Sequence, residues 1–167
     1  MLNKLMSKIN NLEETMFDDN FDYEKEISEC GILLVKNYDI LSSFNIAMIG
    51  IFFVDFKNDK NFVPMIVVDG DFMELSDMTK RFLIGHELGH YEKHMNKIIK
   101  PGYIRNLNDE FEADENGAEM VGLENAIEAL EELKDKLNEI SFGTNLEGIA
   151  EVDLRIENLV NKSMVTC

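Results

Sequence analysis

Apolar residues in the C-terminal part of the chain recur every three or four positions, the spacing that places them on one face of an α-helix. The pattern covers residues 108–161 and is interrupted at Gly122, a residue type that commonly ends helices. It predicts three helices, over about 108–121, 124–140 and 147–161. The second of these has the clearest apolar face, which consists of Ile127, Leu130, Leu133, Leu137 and Ile140.

A further helix is predicted over residues 76–100, directly before this C-terminal part. Ser76 or Asp77 can cap its first turn, and the Pro-Gly pair that follows the helix ends it. Two glycines, Gly85 and Gly89, interrupt it. Because glycine destabilises a helix interior, we expect both to allow close approach of a neighbouring backbone.

The first 75 residues have a different pattern. Residues 1–29 predict an amphipathic helix followed by an acidic segment. Between residues 30 and 75, β-branched and aromatic side chains concentrate in three short runs, "GILLV", "IAMIGIFFVDF" and "PMIVVDG", with turn residues between the second and the third. This pattern predicts a small, mostly antiparallel sheet.

Together these elements predict an α+β fold, in which the small sheet packs on the 76–100 helix and the C-terminal half is helical. The chain has 167 residues, of which 45% are hydrophobic. This length suits one domain, spanning 1–167, that buries a core without disulfide bonds.

Charge narrows the classes of partner. The chain has 16 Lys and Arg residues against 33 Asp and Glu, a formal charge of -17, which disfavours nucleic acids and anionic membranes. The longest apolar run, residues 46–54, is far shorter than the roughly 20 residues of a membrane helix. Cys30 and Cys167 have no metal-ligand spacing, which favours a reduced, cytoplasmic protein. No pattern indicates an oligomeric state.

All three histidines lie in the stretch "RFLIGHELGHYEKHM". His86, Glu87 and His90 form an H-E-x-x-H motif, and residues four apart on a helix differ by only about 40° in direction. Both imidazoles therefore face one point, where they can bind Zn²⁺ together with a third ligand. Glu87 is rotated away from that point and is predicted to be the general base for peptide-bond hydrolysis. His94 is predicted to be a helix-end residue rather than a ligand.

The third ligand is expected from the stretch "NDEFEADENGAEMVG". Glu110 and Asp114 are four apart and share a face with small residues, whereas Glu112 points away from them. We predict that Glu110 binds the metal and that Asp114 accepts the free ring N–H of His86. If Glu110 is not the ligand, Glu112 or Asp109 takes its place.

These motifs resemble the gluzincin metallopeptidases, whose pattern is H-E-x-x-H, 19 residues and then E-x-x-x-D; 19 residues also separate His90 from Glu110 here. "RFLIGHELGH" and "EFEAD" resemble the soluble peptidase domain of the HtpX and CAAX-prenyl-protease family, and next the ImmA/IrrE-type peptidases. The resemblance implies a zincin-like fold and a zinc-dependent endopeptidase that acts on a protein or peptide. Likeness to the ImmA/IrrE type implies a regulatory protein of a mobile element as target.

The resemblance also implies roles outside the two motifs. The strand "PMIVVDG" would pair with an extended substrate, and Arg155, in "DLRIENL", would stabilise the oxyanion, with Tyr103 and Arg105 as weaker candidates. An ion pair with a nearby acid is the alternative role for Arg155. The alternative function for the whole chain is a latent or inactive metal-stabilised binding module that acts through protein–protein interaction.

Overall fold

The computed structural model describes residues 33–36, 47–56, 59–68, 70–98, 100 and 102–165, and the side chains within 65–68, 70–98, 100 and 102–164. The predicted helix and acidic segment over 1–29 lie outside the described residues. That the chain is a single domain stays a prediction.

Three strands precede the helices: β1 (Leu33–Lys36), β2 (Ala47–Phe56) and β3 (Asp59–Val68). β3 lies between the other two, antiparallel to β2 and parallel to β1. One of the two pairings is thus parallel, whereas the sequence favoured a mostly antiparallel arrangement. Residues 65–68 pair with a strand on both sides. This segment therefore has no free edge for an extended substrate, and the predicted substrate pairing of "PMIVVDG" is wrong there.

Helices make up most of the remaining described chain. In chain order they are α1 (Gly70–Glu74), α2 (Asp77–Gly89), a π-helical segment (His90–His94), α3 (Met95–Ile98), α4 (Leu107–Val121), α5 (Leu123–Ile140) and α6 (Leu146–Val165). The predicted 76–100 helix is therefore continuous from α2 to α3 but contains one wider turn.

The prediction of an α+β, zincin-like fold with a sheet packed on the H-E-x-x-H helix is wrong. Where side chains are described, 81% of residues are helical, and the last four residues of β3 are the single short strand. The buried hydrophobic cluster explains why: Ile66 and Val68 are its members from a strand, and the others come from helices and from Leu75 between α1 and α2. In this cluster the helices bury one another's apolar faces. The apolar runs that predict strands therefore led to an overestimate of the contribution of the sheet to the core.

Side chains outside each helix fix where α2 and α4 begin. The Ser76 hydroxyl accepts a hydrogen bond from the Thr79 N–H at 3.2 Å, which confirms the predicted cap of α2. Glu132 of α5 adds a tertiary contact, since it accepts hydrogen bonds from the Ser76 N–H, the Ser76 hydroxyl and the Thr79 hydroxyl. Asn106 caps α4 by accepting from the Asp109 N–H at 3.1 Å. The two helices that carry the candidate site thus start at defined residues.

Glycines let α2 and α4 pack at short range, as the sequence predicted. A Cβ added to Gly89 would lie 2.8 Å from the Asn116 Cβ and 3.0 Å from the Ala113 Cα, and one added to Gly85 would lie 3.0 Å from the Gly117 Cα. No side chain fits such gaps without moving the backbone. The histidines of one helix are thereby held close to the carboxylates of the other.

Candidate metal centre

Three side chains from α2, the π-helical segment and α4 meet at one buried point. The Nε2 atoms of His86 and His90 lie 3.1 Å apart. Glu110 completes the group, with Oε2 at 3.3 Å from the His86 Nε2 and Oε1 at 3.4 Å from the His90 Nε2. The structure therefore brings together the three residues that the sequence suggested as ligands.

The spacing of these atoms fits a metal ion. Bonds of about 2.0–2.1 Å from a tetrahedral zinc ion to its ligands require ligand atoms about 3.3–3.4 Å apart, close to the three distances above. Among the described residues, none donates a hydrogen bond to Oε1 of Glu110, although this oxygen is buried. A buried carboxylate oxygen without a donor costs free energy, which a cation at this point would recover. The buried His-His-Glu group could thus bind a metal ion.

His86 is oriented from behind by a charged pair. Its Nδ1 lies 2.8 Å from Oδ1 of Asp114, the partner that the sequence predicted. Asp114 in turn accepts two hydrogen bonds from Arg155, at 2.8 Å from Nε and 2.6 Å from Nη2. With Nδ1–H donating to a carboxylate, the lone pair of Nε2 is left for a metal. We call His86, Asp114 and Arg155 the His86 arm.

Electrostatics of the His86 arm favour charged groups despite burial. Burial and the Arg155 cation lower the pKa of His86, but hydrogen bonds to Asp114 and Glu110 outweigh them and raise it to about 9. Burial raises the pKa of Asp114, yet the Arg155 cation and its hydrogen bonds hold it below the ordinary value. Burial raises the pKa of Glu110, but its contacts with His86 and His90 outweigh burial and lower it. A metal ion bound here would therefore compete with a proton for the His86 Nε2.

His90 is oriented by a second imidazole, a partner that the sequence did not reveal. His94 is fully buried within the continuous helix, which runs on to Ile98, so its assignment as a helix-end residue is wrong. Its Nδ1 lies 2.9 Å from the Nδ1 of His90, and its Nε2 lies 3.0 Å from Oε2 of Glu112. Burial lowers the pKa of His90, which favours a neutral ring. We call His90, His94 and Glu112 the His90 arm.

The alternative ligands lie behind the metal group and not in it. Glu112 contacts His94, and Asp109 lies 3.4 Å from the Nε2 of His94. Asp109 is buried and accepts hydrogen bonds from Lys97, Tyr103 and Asn106 at 2.6–2.9 Å. Of the three acids considered for the third ligand, Glu110 is the one that reaches both ligand histidines.

A cavity of about 350 Å³ adjoins the metal group, a volume within the range of small-molecule and peptide side-chain sites. Glu87 lies in its wall and is nearly buried. The lining residues come from α2, α4, α5 and α6 and from the loops before α4 and α6: Leu83, His86, Glu87, Arg105, Asn106, Leu107, Glu110, Leu133, Leu137, Asn145, Gly148, Glu151, Val152 and Arg155. The predicted base and the predicted ligands thus face one space.

The candidates for oxyanion stabilisation differ in position. Arg155 lines the cavity, but its Nε and Nη2 atoms bind Asp114, which is the ion pair considered as its alternative role. Its Nη1 lies 3.9 Å from Oε2 of Glu110. Arg105 also lines the cavity, with Nη1 at 3.7 Å from Oε1 of Glu110. The Tyr103 hydroxyl donates a hydrogen bond to Asp109, and burial together with this hydrogen bond raises the pKa of Tyr103 to about 12. The catalytic role of Arg155 stays a prediction.

Comparison of this chain with protein-family models, curated proteins and solved structures gave no match. None of the helices in the described part of the chain combines the length and apolarity needed to cross a membrane. Assignment of a function therefore rests on the geometry of the metal group and its cavity.

Proposed function

We propose that this protein is a zinc-dependent endopeptidase that hydrolyses peptide bonds. The observation that carries the proposal is the buried convergence of His86, His90 and Glu110 at a cavity whose wall contains Glu87. A metal site with no adjoining space would favour a structural role. Here the H-E-x-x-H acid and the ligand atoms border the same cavity, as a hydrolytic site requires.

Zinc is proposed from the chemistry of the donors. Two imidazole nitrogens and one carboxylate are the protein ligands of one established class of catalytic zinc site, which keeps a further position for water or substrate. Both ring Nδ1 atoms have hydrogen-bond partners, so each Nε2 is available as a donor to the metal. When bound, zinc supplies Lewis-acid chemistry: it makes water a better nucleophile near neutral pH and polarises a carbonyl group.

Glu87 is assigned to proton transfer. It directly follows His86, so on a helix its side chain is rotated by about 100° from that ligand and reaches the cavity without joining the metal group. With a peptide bond in the cavity, its carboxylate takes a proton from the attacking water. The same carboxyl group then donates that proton to the nitrogen of the leaving amine.

The cavity wall supports a peptide as substrate. Leu83, Leu133 and Val152 offer apolar contact for a side chain, while the Arg105 guanidinium and the Nη1 of Arg155 provide hydrogen-bond donors for backbone oxygens. A regulatory protein of a mobile element as the target stays a prediction from resemblance. Cytoplasmic location likewise stays a prediction.

The test compares two variants of the same helix. Zinc-loaded protein is incubated with a mixed peptide library, and new termini are identified by mass spectrometry. We expect cleavage by the unchanged protein and by the control Glu92→Gln, with at least a 100-fold loss in Glu87→Gln at equal zinc content. Cleavage by Glu87→Gln at the full rate would exclude Glu87 as the base. Bound zinc without any cleavage would favour the metal-stabilised binding module instead.

A further inference from the structure

We propose that His94 is a positioning residue that fixes the ring of His90 for metal binding; the inference rests on the metal site of the proposed function. His94 itself is not a member of the ligand group. It acts on the metal through the hydrogen bond between the two Nδ1 atoms, which are 2.9 Å apart.

The positions of the nitrogens fix the protons on both rings. The Nε2 of His90 faces the other two ligands, so it must offer a lone pair, and the proton of this neutral ring is on Nδ1. Since only one of two facing nitrogens can donate, His94 accepts with Nδ1 and carries its own proton on Nε2. That Nε2–H points to a carboxylate oxygen of Glu112, 3.0 Å away. Every proton in this chain of contacts therefore has an acceptor.

Burial makes metal binding sensitive to the hydrogen bond between His90 and His94. His90 and His94 have no measurable solvent exposure, so water cannot replace the acceptor if His94 is lost. The π-helical segment that contains both residues places their ring centroids 5.1 Å apart. Outer partners of metal-bound histidines typically change metal affinity about 10- to 100-fold when removed. His94 meets the geometric conditions for such a partner.

Two substitutions of similar length separate positioning from packing. His94→Gln keeps a side-chain oxygen that can accept from the His90 Nδ1–H, whereas His94→Met fills similar space with a much weaker acceptor. The zinc dissociation constant is measured by competition with a chelator, and the visible spectrum of the Co²⁺-substituted protein reports the geometry of the ligands. Thermal unfolding of the metal-free variants reports whether each one folds.

We expect His94→Met to weaken zinc binding about 10- to 100-fold and to alter the Co²⁺ spectrum, while His94→Gln stays within a few-fold of the unchanged protein. Zinc binding and a Co²⁺ spectrum unchanged in folded His94→Met would overturn the proposal. So would an equal loss in both variants, because packing alone would then explain it.

A second pair of variants decides the question if His94→Met does not fold. Glu112→Ala removes the nearer of the two carboxylates that face the His94 Nε2–H, since Asp109 is 3.4 Å away, and Glu92→Ala is its control in the same region. A few-fold weaker zinc affinity in Glu112→Ala alone supports the proposal, and equal affinities refute it. Because zinc affinity is the readout, a chain that binds zinc but cleaves nothing would contradict the proposed function and leave the role of His94 standing.

Discussion

The two histidine ligands of the candidate site are held in different ways. In the His86 arm, the ring nitrogen meets a carboxylate that is itself bound by a buried guanidinium. In the His90 arm, the ring meets another imidazole, and the last acceptor, Glu112, has a side chain that is 51% exposed. The His86 arm depends on buried charged groups, whereas the His90 arm depends on each ring N–H facing an acceptor atom. Damage to the first should therefore cost folding stability, whereas damage to the second should mainly affect the metal.

The largest effect is expected where the arms join. Glu110→Ala removes the ligand that contacts both histidines, so zinc affinity should fall by more than the 10- to 100-fold typical of an outer partner. Competition with a chelator measures it, with Glu119→Ala on the exposed side of α4 as the control. Unchanged zinc affinity would move the ligand assignment to Glu112 or Asp109.

Breaking the His86 arm should cost stability as well as affinity. Asp114→Ala leaves the Arg155 cation buried without its bidentate partner, which typically destabilises a fold by about 3–5 kcal/mol. Denaturant unfolding of the metal-free protein measures this loss, and chelator competition should show zinc binding about 10- to 100-fold weaker. If Asp114→Ala and His94→Gln lost equal stability, the contrast between the two arms would be wrong.

The distance between the arms can be changed without touching either. Gly89→Ala would place a Cβ against backbone and Cβ atoms of α4, so we expect a loss of about 1–2 kcal/mol after allowing for the better helix propensity of alanine. Unfolding experiments on Gly89→Ala and on the control Glu92→Ala measure it. A Gly89→Ala protein as stable as the original would mean that α2 and α4 separate easily.

The smallest effect is expected from substitution of Glu132, which lies outside both arms and serves as a reference. Burial raises the pKa of Glu132, but hydrogen bonds from Ser76 and Thr79 outweigh it and hold the pKa below the ordinary value of 4.5. Glu132→Ala should thus lose about 1 kcal/mol at neutral pH, because this partly exposed carboxylate holds the start of α2.

The sign of its pH dependence follows from the depressed pKa. The stabilisation is present above the ordinary value of 4.5 and is lost as the pH falls through the lower pKa of the folded state. Unfolding curves should therefore differ between Glu132→Ala and the exposed-site control Glu131→Ala at pH 7 and converge in acid. Zinc affinity should not change, and a change would link the helix start to the metal.

Local geometry explains which features of the site could be predicted from the sequence. Residues four apart on a helix share a face, so His86 with His90 and Glu110 with Asp114 could be paired from their spacing alone. His94 could not, because its environment depends on a π-helical turn and on acids from α4. The prediction of the fold class was wrong for a related reason. Strand runs are visible in a sequence, but the share of each element in the core is set by tertiary packing.

Because of the π-helical segment between α2 and α3, the geometry of the site depends on the number of residues in this part of the helix. A π turn bonds residue i to i+5, so it holds more residues than the α turn that would otherwise continue the helix. A one-residue deletion among residues 91–93 would leave the H-E-x-x-H motif unaltered but reduce the separation of the two buried histidines from four residues to three, which changes the direction of one ring relative to the other. A change in the length of this segment would thus alter the contact between His90 and His94 while every residue of the motif stays in place.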